Sequence, residues 1–229
     1  MITRYSELLD EVLKSDPARV AVAAAQDDAV LQACREAVDR GLATLTLFGD
    51  RIKIESVAQK AGVCLDGMKI VNDPDDMSSA MQAVECVSAG NADIVMKGLI
   101  NTGDLLRAVL DKNVGLRTGR VLSHLAVFEL NGFDRLIGVT DGGMNIVPTL
   151  AQKADIIQNA AEVFHKLGVD PVKVAVLAAV ETVNADMPGT IDAAALAKMT
   201  ERGQIKGVVV DGPLALDNAV REDAARHIG

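Results

Sequence analysis

Two spacings of apolar residues alternate along the first half of the chain. Short apolar runs, Arg19–Ala25, Ala43–Phe48, Met68–Val71 and Ala92–Met96, predict buried strands. Between them the apolar positions recur every three or four residues. From Asp28 to Arg40 they are Val30, Ala33, Cys34, Ala37 and Val38, one face of a helix, and Gly41 follows where a left-handed cap is expected. Met77–Ala89 repeats the design and ends at Gly90. Apolar strands joined by crossover helices predict a parallel sheet.

The pattern changes near residue 121. Val121–Leu130 and Arg135–Thr140 read as two strands joined through Asn131-Gly132, a dipeptide that favours a tight hairpin turn. A helix over Thr149–Leu167, a strand over Lys173–Ala179, a helix over Ile191–Arg202 and a strand over Gly207–Val210 follow. An antiparallel hairpin interrupting a parallel alternation places a domain boundary there. The expectation is therefore an α/β protein of two lobes with mostly parallel sheets, residues 1–121 and 122–229, the second opening on the hairpin. Open α/β sheets bind ligands outside the carboxyl ends of their strands, which here points to a cleft between the lobes.

Composition narrows the partners. With no Trp, one Tyr and four Phe, the chain lacks the aromatic platforms on which single-stranded nucleic acid stacks. A net charge of -9 would repel a polyanion. One segment runs against that balance: Lys97, Arg107, Lys112, Arg117 and Arg120 outnumber Asp104 and Asp111. Such a cluster suits a small anionic ligand, or is a solvated helix face. Cys34, Cys64 and Cys86 lie tens of residues apart, which indicates neither a zinc site nor a disulfide framework. The acidic N-terminus resembles no signal peptide and no run reaches membrane-spanning length, so the location expected is cytoplasmic, without a membrane partner.

Three segments could carry chemistry. Met96 to Thr102 lies where a parallel strand gives way to a helix. There Gly98 would let a ligand approach the backbone, Asn101 or Thr102 would cap the helix, and Lys97 and Arg107 would offer charge to phosphate or carboxylate oxygens. The second segment, Thr140 to Asn145, includes Asp141 and two adjacent glycines whose amides could cradle an oxyanion or simply close a turn. The third, Asp211 to Asn218, offers Asp211 and Asp217 as acid-base groups or helix caps. Ser123 and His124 are strand neighbours that would point to opposite faces, a poor nucleophile and base. His165 falls near a helix C-terminus, where a dipole role is expected, and His227 lies close to the end of the sequence. No GxxxxGK[ST], HExxH or GxSxG occurs, nor a GxGxxG between strand and helix, which removes support from ATP hydrolysis, zinc proteolysis, serine hydrolysis and hydride transfer.

Taken in order, MKGLINTGDLLRAVLDKNVGLRTGRVLSH, TDGGMNIVPTL and VLAAVETVNADMPGTIDAAALAKMTERGQIKGVVVDGPLALDNAV resemble the signature stretches of the phosphate acetyltransferase and phosphate butyryltransferase family, nearest to its butyryl members. The resemblance runs from about Ala18 to Val220. It implies an architecture like that of isocitrate and isopropylmalate dehydrogenases. It also implies reversible transfer of a short acyl group between CoA and inorganic phosphate, without metal or cofactor, in a homo-oligomer. Lys97, Gly98, Thr102 and Arg107 would line the site from one lobe; Thr140, Asp141, Asn145, Asp211, Pro213 and Asp217 would line it from the other. Asn145 and Asp141 are the catalytic candidates among them.

Two departures accompany the resemblance. The family's Ser-Arg pair and accompanying Asp lie in a C-terminal stretch of longer chains, and no Ser-Arg dipeptide occurs in these residues. The expectation is a chain shortened after Gly229, its first lobe completed by a further segment. Relatives also often place a larger residue where Gly142-Gly143 stand. The alternative from another class is a non-catalytic acyl-CoA-binding or oligomerisation module of the same fold. An oxidoreductase of the same architecture would need a carboxylate cluster for a divalent metal, which the Asp spacing does not offer.

Overall fold

The computed structural model describes residues 1–226. The chain opens with helix α1 (Tyr5–Val12) and divides into two compact units, Leu9–Gly119 and Met1–Leu8 together with the chain from Arg120 onward.

In the unit Leu9–Gly119 the elements run β1 (Ala18–Ala23), α2 (Asp28–Asp39), β2 (Ala43–Gly49), α3 (Arg51–Ala61), β3 (Lys69–Asn72), α4 (Asp76–Ser88), β4 (Ile94–Lys97) and α5 (Thr102–Val109). All four strands are parallel, in the order β3-β2-β1-β4. Strand β1 shows why both sheet faces are covered. Val20 and Val22 face one side, where Leu31, Cys34, Ile54 and Ala58 of α2 and α3 complete the core. Ala21 and Ala23 face the other, against Ala80, Ala83 and Val84 of α4. Small residues on both surfaces let α4 pack close to the strand, and each fully buried Val, Leu or Ile contributes roughly 1.5–3 kcal/mol. The Cys34 thiol is pushed up to about 11 by its burial, so it stays neutral and serves as core. Cys64, in contrast, is exposed.

The helices begin where side chains can satisfy their first amides. Asp27 accepts from the Val30 N–H at 3.0 Å, Asp50 from Ile52 and Lys53, and Asp75 from Ser78 at 2.7 Å. Helix α2 ends as its sequence predicts, with Gly41 at φ 71° and its N–H on the Val38 carbonyl.

The other unit holds β5 (Ala126–Glu129), β6 (Leu136–Val139), α6 (Leu150–Lys166), β7 (Val172–Leu177), α7 (Pro188–Glu201), β8 (Val208–Leu214), α8 (Leu216–Val220) and α9 (Glu222–Ala225). Strands β5 and β6 form the antiparallel hairpin, and β7 and β8 a parallel pair. The hairpin loop is wider than Asn131-Gly132 predicts. Glu129 pairs with Leu136, and a single turn, Phe133 N–H to the Leu130 carbonyl at 3.2 Å, carries Gly132 at φ 89°. Helix α6 starts with a reciprocal cap between Thr149 and Gln152 and packs Ile157, Ala161 and Phe164 into a core shared with Leu196, Val208 and Val210. The N-terminal residues tie into the same unit: Ile2 N–H donates to the Leu167 carbonyl, and Tyr5 N–H and hydroxyl donate to Glu129 and the Val127 carbonyl.

The long strand expected over Val121–Leu130 is cut to four residues, because residues 121–124 satisfy their backbone on side chains instead of a sheet partner. Val121 N–H donates to Asp155 at 3.2 Å and the Val121 carbonyl accepts from Asn159 at 2.9 Å. The Leu122 carbonyl accepts from Asn145, while His124 exchanges bonds with Asp141 and Thr140.

Candidate functional site

The end of β4 leads through Gly98 into α5, and sequence, backbone and charge meet there. Gly98 is buried, and its N–H reaches the Ala23 carbonyl at 2.8 Å while Leu99 N–H reaches that of Ala24 at 2.7 Å. A β-carbon at Gly98 would strike both carbonyls. The close approach that Gly98 permits is thus to strand β1 of its own sheet. The Lys97 ammonium folds back over the same turn, 2.8 Å from the Ile100 carbonyl and 3.2 Å from that of Gly98. Asn101 occupies the cap position of α5, yet its side chain makes no capping bond. Among the described residues, the Thr102 and Gly103 N–H groups therefore lack a protein partner and remain open to an oxygen ligand.

Beside this turn lies a recess of about 360 Å³ lined by Asp76, Lys97, Leu99, Ile100, Asn101 and Asp104 among others. It adjoins the point where the strand order reverses between β1 and β4, the usual ligand position in an open parallel sheet. Two carboxylates against one ammonium make the recess a poor phosphate cradle on charge alone. Two of the arginines of the basic segment are compensated in the same way. Arg107 pairs with Asp104 at 2.7 Å with its side chain 70% exposed, and Arg120 pairs with Glu162 at 2.9 Å.

The glycine loop after β6 is built around one carboxylate. Asp141 Oδ1 accepts the N–H groups of His124 at 3.2 Å, Gly143 at 3.4 Å and Met144 at 3.2 Å. Its Oδ2 accepts the Asn145 N–H at 3.1 Å and the Asn145 side-chain amide. Partial burial pushes this carboxyl up, but the Asn145 amide and the converging backbone N–H groups outweigh it and hold the group below the usual aspartate range. Asp141 is therefore an ionised hub whose lone pairs are occupied. Asn145 is equally committed, its amide bonding Asp141 and the Leu122 carbonyl at 3.0 Å. The Thr140 hydroxyl donates to the His124 carbonyl at 2.6 Å. Among the described residues, Gly142 N–H has no protein partner.

The third segment is mostly strand, since β8 continues through Leu214. Pro213 is buried and presents no surface to a ligand. Asp211 and Asp217 are exposed, and each accepts the N–H of the residue that follows it, Gly212 at 2.8 Å and Asn218 at 3.0 Å. Neither caps a helix, for the cap position of α8 is Ala215. His165 bonds the Gly207 carbonyl at 2.8 Å, a connection of α6 to the residue before β8, and His227 lies outside the described residues. Asp155 and Asn159, which hold residues 121–123, escape a reading of the sequence: they stand one turn apart on α6 but among Lys153, Gln158 and Glu162, so nothing in the sequence sets them off.

An α/β chain with mostly parallel strands, offering at a strand-to-helix turn amides that have no partner among the described residues, and a carboxylate-organised glycine loop, has the features of a protein that handles small anionic substrates. A family model described as phosphate acetyl/butaryl transferase matches residues 5–80 and 75–229, and the chain belongs to that family. It is 51% identical over 229 residues to a phosphate butyryltransferase of Clostridium acetobutylicum, covering 100% of this chain and 76% of that protein. It is 41% identical over 225 residues to a phosphate acetyltransferase of Thermotoga maritima, covering 98% and 76%. The structure of a branched-chain phosphotransacylase from Enterococcus faecalis V583 superposes with a TM-score of 0.78 at 30% identity, covering 92% of this chain and 73% of that one.

Proposed function

We propose that the protein transfers a short acyl group, butyryl or similar, reversibly between CoA and inorganic phosphate. The likeness to a phosphate butyryltransferase over the whole of this chain carries the reading. A phosphate oxygen attacks the thioester carbonyl carbon, the new C–O bond forms as the C–S bond breaks, and the proton of hydrogen phosphate ends on the CoA thiol. The reaction needs anion-holding groups and a donor for the oxyanion that develops.

In this proposal Lys97, Thr102, Arg107 and the open amides at the start of α5 hold phosphate oxygens. What supports them is the uncapped helix terminus and the freedom of an exposed Arg107 to leave its surface ion pair. Gly98 acts by fixing the turn. Asp141, Asn145 and Thr140 are positioning residues that fix the loop, and its free Gly142 N–H is the donor offered to the oxyanion. Asp211 and Asp217 remain accessible carboxylates of the proposed site, while Pro213 contributes only through packing. The finer reading of the fold, two lobes of the isocitrate and isopropylmalate dehydrogenase type with the ligand between them, rests on the family resemblance and belongs to the same proposal.

So does a cytoplasmic homo-oligomer working without metal or cofactor. Free cysteines suit a reducing compartment, and no helix among the described residues is long and apolar enough to cross a membrane. The test is phosphate-dependent CoA release by purified protein from butyryl-CoA, acetyl-CoA and branched analogues. Release is expected to be fastest with the four- or five-carbon groups. No release with any of them overturns the reaction, and acyl-CoA binding without turnover would favour the non-catalytic module.

A further inference from the structure

The glycine loop carries an apolar tip that its own unit does not bury. Ile146 is 95% exposed and Val147 87%, and neither joins the core to which the following helix contributes. The tip is not a slack segment. Asn145 is anchored on its N-terminal side by Asp141 and the Leu122 carbonyl, and Thr149 is anchored on the other by its reciprocal cap with Gln152. Two β-branched side chains are thus held outward between fixed points, at the cost of leaving apolar surface in water.

We infer that Ile146 and Val147 form the apolar contact for the acyl tail of the substrate and set the preference for four-carbon over two-carbon groups. The inference rests on the reaction proposed above. Three observations favour an acyl tail as occupant. The tip lies four residues from the free Gly142 N–H, in the loop proposed to face the reacting carbonyl. A stable protein interface draws on roughly 20–30 residues a side, whereas the tip offers two side chains and the half-exposed Leu122. The relatives are named for acetyl, butyryl and branched-chain groups, which differ only in their apolar tails.

The two further methylenes of a butyryl group are worth roughly tenfold in kcat/KM when buried. The experiment compares kcat/KM for butyryl-CoA and acetyl-CoA in the wild type, Ile146→Ala, Val147→Thr and the double variant. Melting curves serve as the control, since both side chains are exposed. The ratio is expected to fall about 5- to 10-fold in the double variant through the butyryl arm, with acetyl-CoA turnover kept and Ile146→Leu retaining the ratio. An unchanged ratio overturns the inference, as does an equal loss on both substrates, or a loss of sedimentation mass with the ratio intact, which would make the tip a contact between copies. Should the wild type release no CoA from any thioester, the proposed reaction falls on that result alone. The same ratio is then read from calorimetric affinities, with the same outcomes deciding.

Discussion

At the scale of single residues, the structure separates groups that hold a loop from groups free to meet a substrate, and the two are easily confused in a sequence. Asp141 stands among the catalytic candidates through the family resemblance, while the two glycines beside it read equally well as a simple turn. In the structure a network of donors fills its lone pairs and keeps it ionised. A turn closed on its own amides was legible, but the reach of Asp141 to His124 and Asn145 was not, because most of the donors are backbone N–H groups whose direction depends on the fold. Asn145→Ala would strip the amide from a part-buried carboxylate and from the Leu122 carbonyl together. A stability loss of about 1–3 kcal/mol is expected in urea unfolding, accompanied by a fall in turnover. A fall in turnover with unchanged stability would instead mark Asn145 as a group that touches substrate. Arg107 presents the opposite case. Its exposed pair with Asp104 is worth about 0–1 kcal/mol, so Arg107→Ala should leave unfolding nearly unchanged while raising the KM for phosphate or acyl-CoA several-fold. An unaltered KM would assign Arg107 to the solvated face of α5.

Elements were legible where periodicity and punctuation agreed, and less so where side chains replaced a sheet partner. Strands β1 to β4 were placed by their apolar runs, and α2 by its apolar spacing and the Gly41 that follows it. Residues 121–124 look like strand because Val121 and Leu122 open a mostly apolar run that reaches Leu130. Asp155 and Asn159, from a helix more than thirty residues on, satisfy the Val121 N–H and carbonyl and so remove the need for a neighbouring strand. Gly98 also changed meaning with the fold: read as room for a ligand, it proves to be room for β1. Gly98→Ala should therefore cost about 1–3 kcal/mol of stability, since a β-carbon would meet the carbonyls of Ala23 and Ala24 and neither is free to shift. Denaturant midpoints check this directly. Wild-type stability in Gly98→Ala would mean that β4 can move away from β1 without loss.

Across the whole molecule, the ion pairs most visible on the surface contribute little to stability, and the acid response is where electrostatics should be measurable. The sequence displayed the charges but not their partners: Arg19 and Asp93 are 74 residues apart and meet only because β1 and β4 are neighbours. Arg19 holds Asp93 at 2.6 Å through its guanidinium and at 2.9 Å through its backbone N–H, and a further arm reaches the Gly90 carbonyl. The Arg19 side-chain and backbone hydrogen bonds lower the Asp93 carboxyl from an ordinary 3.8 to about 2. A carboxylate with a lowered value in the folded state stabilises the fold above its unfolded value and loses that contribution as pH falls through the folded one. The contribution of Asp93 should therefore be complete above about pH 4 and fade toward pH 2. The helix-capping Asp50 and the loop hub Asp141 are lowered too, so the melting temperature of the wild type should descend in acid. Asp93→Asn should melt lower than the wild type at neutral pH, and the gap should narrow as pH is taken from 4 to 2. A gap that stays constant across that range would show that the Arg19 contact works through geometry, as an amide could also supply, and not through the charge on Asp93.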